Sequence, residues 1–153
     1  MSAGRRSASG SQQAARLALS APRTIDVAGS PIRLHEAPER GFAFPWVEFN
    51  DLLRATDFSP ECIADWAWRW LSTYPERSHT LPDGRLLVPS ESARGLFEAA
   101  RMGGWPPAER AIQEYQNGSA AYFAALYRHL DNAGFRRALN EAVLRSAVCE
   151  GLH

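Results

Sequence analysis

The chain has 153 residues, of which 45% are hydrophobic and 22% charged, and its 17 basic residues balance 17 acidic ones. These are the proportions of one globular domain and exclude a disordered, collagenous or coiled-coil chain. The two cysteines, Cys62 and Cys149, exclude a disulfide scaffold and a four-cysteine zinc site, and no apolar run approaches the ~20 residues of a membrane helix.

The first 22 residues, MSAGRRSASGSQQAARLALSAP, are rich in serine, alanine, glycine and glutamine and carry no acid. Such a segment buries too little surface to offset its ordering entropy and reads as a flexible basic arm. Residues 24–27 and 32–35 alternate in polarity around a turn at Ala28-Gly29-Ser30, a hairpin signal. Residues 42–49 (FAFPWVEF) read as an aromatic strand, with Pro45 restricting it to an edge or a strand entry. Asn50 is a suitable N-cap for a short helix over 51–56.

Ser59-Pro60-Glu61 marks a second helix start, running to about residue 72 or 74. Ile63, Trp66, Ala67, Trp70 and Leu71 form its core face, with Cys62 beside it as a small buried hydrophobe. Trp68 falls nearly opposite, so either the helix is sandwiched or Trp68 lines an interface. Asp83-Gly84 then reads as a two-residue hairpin turn with both positions at positive φ, flanked by residues 80–82 and 85–88. Ser90 is the expected cap of an amphipathic helix over 91–102, closed by Gly103-Gly104. The rest reads as helix only: 107–116, then 120–130 capped by Ser119, then 135–149 after a break at Gly134.

This order predicts an α+β fold, a small antiparallel sheet with winged-helix flavour plus an all-helical C-terminal half. The expected organisation is an arm over 1–22, an α+β part over 23–104, and a helical part over 105–153 packed on it as one domain.

The charges are unevenly distributed. All basic residues are arginine; residues 1–24 carry a net +4, residues 25–76 a net −5, and residues 77–153 a net +1. His35, His79, His129 and His153 lack metal-ligand spacing, and no zinc, calcium or phosphate-loop motif occurs. The paired carboxylates Glu48/Asp51 and Asp57/Glu61 read as a solvated acidic surface. The chain is therefore expected to have no catalytic residues, no cofactor and no metal, and to be no enzyme; an enzyme lacking recognisable motifs would instead show a deep pocket with convergent polar groups.

PWVEFNDLLRAT at 45–56 and DGRLLVPSESARGLFEAAR at 83–101 carry a resemblance. Over roughly residues 24–102 the chain resembles the N-terminal domain of phage and viral antirepressor proteins of the BRO-N type, with Ser90, Gly95, Leu96 and Phe97 as counterparts of that family's hairpin-to-helix pattern. The resemblance implies a cytoplasmic DNA-binding or regulator-binding module of phage or mobile-element type.

Two readings stand. In the first, a transcription regulator contacts duplex DNA phosphates through Arg5 and Arg6 of the arm and Arg77, Arg85 and Arg94 around the 83–84 hairpin and following helix. In the second, a protein-interaction module (an inhibitor, antirepressor or counter-defence protein) acts without DNA through an acidic surface bearing Asp65, Trp68 and Arg69. A regulatory protein, or a second copy paired through the helical C-terminal half, is an expected partner; a membrane is not.

Overall fold

The computed structural model describes residues 21–57, 70 and 72–151. Strands β1 (Arg23–Val27) and β2 (Ser30–His35) form a hairpin closed by Ala28 and Gly29, at φ 52° and 81°. Both loop positions in the left-handed region define the turn whose twist matches that of the strands. β3 (Trp46–Glu48) leads into helix α1 (Phe49–Ala55). After a 3-10 turn at Pro75–Arg77 come β4 (His79–Thr80) and β5 (Leu86–Pro89). Helices α2 (Ser90–Met102), α3 (Ala108–Tyr127) and α4 (Asn132–Gly151) complete the described chain. The five strands form one antiparallel sheet in the order β1-β2-β3-β5-β4, so the fold is α+β.

Strand alternation divides the sheet into two unlike faces. Ile25, Val27, Ile32, Leu34, Val47, Leu86 and Val88 share one face. They pack with Leu52 and Leu53 of α1, Phe97 of α2, and Ala111, Tyr115, Tyr122 and Leu126 of α3 into the main apolar core. The opposite face carries Arg33, His35, Trp46, Glu48, Arg85 and Leu87. A second, smaller cluster joins Phe123 of α3 to Ala138 and Ala142 of α4, with Phe42, Phe44 and Phe135 around it. The two outermost strands differ: β1 leaves Arg23, Thr24 and Asp26 exposed, and β4 is two residues long, followed one residue later by Pro82.

Several local expectations are corrected. The aromatic strand is confined to residues 46–48. Helix α1 starts at Phe49, and the N-cap position is Glu48, not Asn50. Its end is set by Asp57 in the left-handed conformation (φ 69°), whose N–H bonds the Arg54 carbonyl at 3.1 Å. The Asp83-Gly84 hairpin has a three-residue loop, Pro82-Asp83-Gly84. Leu81 N–H bonds Arg85 C=O, Gly84 N–H bonds Leu81 C=O, and Gly84 alone of the two takes positive φ. Pro82 accounts for the change, because its fixed φ suits the first central position of an ordinary turn that a left-handed glycine then completes. Ser90 begins α2 without capping it; its hydroxyl donates to the Pro45 carbonyl instead.

The predicted break at Asn117-Gly118-Ser119 does not occur, and α3 runs through it. Gly118 is placed by packing: a Cβ there would stand 2.7 Å from Ile25 Cδ1, so glycine lets the helix approach β1. Gly134 lies within the first turn of α4, where Asp131 Oδ1 accepts its N–H at 2.6 Å and caps the helix. The expected 59–74 helix falls largely outside the described residues. Trp70, which is described, packs against Phe49 (5.4 Å between centroids) and Tyr74 (4.7 Å) and meets the main core.

Candidate functional site

The polar face of the sheet carries the densest group of charges among the described residues. Glu48 and Asp51, the expected solvated acids, are each only 2% exposed. Arg33, one strand away on β2, reaches both. Its backbone N–H and Nε each donate to Asp51 Oδ2 at 3.0 Å, and its Nη2 lies 2.7 Å from Glu48 Oε2. Arg54, one turn along α1, donates to Asp51 Oδ1 at 2.9 Å. His35 Nε2 lies 2.9 Å from Glu48 Oε1, the same oxygen that Arg85 Nη1 meets. Arg85 also binds Asp83, through Nε to Oδ2 at 2.7 Å and through its backbone N–H to Oδ1 at 3.1 Å. That backbone bond is the main cause holding the Asp83 carboxyl below its ordinary range. The Asp51 hydrogen bond, opposed by partial burial, is the main cause raising the Arg33 guanidinium.

All four carboxylate oxygens of Glu48 and Asp51 meet donors. A general base needs an accessible lone pair aimed at substrate, and this pair offers none. The cluster acts instead as a clamp joining β2, β3, α1 and the β4–β5 hairpin. Sequence alternation hints at it, since Ile32-Arg33-Leu34-His35 places Arg33 and His35 away from the apolar face. The carboxylates read as solvated because their partner Arg85 lies 37 residues from Glu48 in sequence.

The candidate DNA-contacting arginines separate. Arg5 and Arg6 lie outside the described residues, as do Asp65, Trp68 and Arg69. Arg77 is buried in the 3-10 turn at 6% exposure. Arg85 is engaged by Glu48 and Asp83. Arg94 is exposed on α2. Among the described residues, no group of three or more His, Cys, Asp or Glu is placed to hold a metal, and no helix is long and apolar enough to cross a membrane.

Helix α4 shows a different feature. Ala138 and Ala142 are buried and Phe135 is partly covered. Leu139 and Val143 are 38% and 49% exposed, and Leu144 is 66% exposed. The three occupy an arc of about 140° on the helix. The helix is held from its other side, where Arg145 bonds Glu141 at 3.1 Å and Glu39 of the β2–β3 connection at 3.4 Å. Gly41 makes room for that clamp: a Cβ there would lie 2.5 Å from Arg145 Nη2. A fixed helix with three large apolar side chains turned outward can bury them against another protein surface. Comparison with protein-family models, with curated proteins and with solved structures finds no match to this chain.

Proposed function

We propose that the chain is a protein-interaction module that pairs through the outer face of α4, with a second copy of itself as the partner. The exposure of Leu139, Val143 and Leu144 on a helix anchored from behind carries this reading. A twofold pairing needs only one self-complementary stripe, and a chain with no net charge imposes no overall repulsion between copies. The arginines of the hairpin region support it indirectly. Arg85 already neutralises Glu48 and Asp83, and Arg77 is buried, so the hairpin offers phosphates less free charge than its sequence promises.

Light scattering on the size-fractionated full chain tests the proposal, together with anisotropy on labelled duplex DNA at several salt concentrations. The expected result is a dimer that Val143→Glu with Leu144→Glu converts to monomer, and no salt-dependent DNA binding. A monomer at high concentration, or DNA affinity that falls steeply with salt, overturns it in favour of the DNA-binding regulator.

A further inference from the structure

A second group of charges lies on the helical side of the molecule, and nothing among the described residues satisfies it. A cleft of about 270 Å³ is lined by Phe44, Ser90, Glu91, Arg94, Tyr115 and Ser146, drawn from the β2–β3 connection and from α2, α3 and α4. Its size suits a small organic molecule.

Opposite charges three or four residues apart on a helix ordinarily meet. Three such pairs in this protein do: Glu98 and Arg101 on α2 lie 2.7 Å apart, Arg110 and Glu114 on α3 2.9 Å, and Glu141 and Arg145 on α4 3.1 Å. Glu91 and Arg94 have the same spacing as Glu98 and Arg101, yet neither enters an ion pair among the described residues. Glu91 Oε2 is withdrawn from solvent and accepts no hydrogen bond from the described residues, a costly state for a carboxylate oxygen. Arg94 is exposed and free to turn.

The hydroxyls beside them are ordered by a chain of bonds. Ser90 donates its one hydrogen to the Pro45 carbonyl at 2.5 Å, so Tyr115, 3.0 Å from Ser90 Oγ, must donate to it. The Tyr115 oxygen keeps its capacity to accept. An anion alone would leave Glu91 unmatched, and a cation alone would leave Arg94 unmatched. A molecule with both charges answers both.

We propose that this cleft binds a small zwitterion of the amino acid class, its ammonium on Glu91 and the Tyr115 oxygen, its carboxylate on Arg94, and its apolar body against Phe44 and Ala120. The site stands independently of the pairing surface on α4.

Calorimetric titration of the full chain with L-leucine and L-phenylalanine tests it, with isoamylamine and isocaproate as leucine analogues lacking one charge each. At least one amino acid is expected to bind, and the leucine analogues to bind no better than about tenfold more weakly than leucine itself. Glu91→Gln and Arg94→Ala are each expected to weaken amino acid binding by about tenfold or more. Ala120→Trp, at an exposed position on the cleft wall, is expected to abolish it while the unfolding midpoint stays unchanged. No binding by either amino acid, an analogue matching leucine, or undiminished binding by the variants overturns the assignment.

Discussion

The two charge groups of this protein use the same residue types to opposite ends. On the sheet, Arg33, Arg54 and Arg85 surround two carboxylates until every oxygen has a donor. On the helices, Glu91 and Arg94 sit at pairing distance in sequence and remain apart. The difference teaches where function is to be sought. A saturated ion cluster has no free valence and can only hold elements together, whereas an unsatisfied pair beside a cleft has something left to bind. The sheet cluster also converts acids that would otherwise repel a polyanion into neutral structure, so segment charge misstates the surface.

The sharpest way to break this comparison is to take the clamp apart. Arg33→Met removes the side chain that contacts both buried carboxylates, leaving Asp51 and Glu48 with fewer counter-charges out of water. Loss of one partner from such a group costs about 3 kcal/mol or more. Chemical denaturation should show that loss; an unchanged midpoint would mean the cluster contributes nothing to stability. Tyr115 provides an intermediate test, because its hydroxyl joins the cleft to the β3 entry through Ser90. Tyr115→Phe is expected to cost about 1 kcal/mol at neutral pH.

The pH dependence of that difference has a definite sign. Burial raises the Tyr115 hydroxyl well above its ordinary value of 10.0, and burial likewise pushes Tyr122 up to about 12. Below pH 10 both tyrosines are protonated in the folded and unfolded chains, and the stability is complete. Above it the unfolded chain releases protons that the folded chain keeps, so stability falls as pH rises from 10 toward and beyond 12. Stability measured across that range should decline less steeply for Tyr115→Phe, and the gap to the parent should narrow. A constant gap would remove ionisation of Tyr115 as a cause. The smallest expected effect lies at the unpaired residues themselves. Arg94→Ala should change stability by no more than about 0.5 kcal/mol, in contrast to Arg33. A large loss would show that Arg94 holds structure.

Much of the sheet is legible in the residues. The β1–β2 hairpin follows from alternation around Ala28-Gly29, and the end of α2 from Gly103-Gly104, because both signals act within a few residues. Expectations fail where a distant partner decides. Gly118 looks like a helix breaker until Ile25 of β1 is seen against it. Ser90 looks like a cap, yet Pro45, 45 residues earlier, takes its hydrogen. Glu48 and Asp51 look like surface acids until Arg33 and Arg85 are folded over them. The cleft is hidden for the same reason: its walls come from residues 44 through 146, and no local spacing links Phe44 to Ser146.

The ends of the sheet have a consequence for behaviour at high concentration. An open strand is a template on which another chain can extend the sheet into a fibre. Here one end stops after two residues, close to a proline that cannot donate a ladder hydrogen bond, and the other carries outward charges of both signs. Neither invites open-ended growth, so concentrated solutions should yield discrete assemblies rather than filaments.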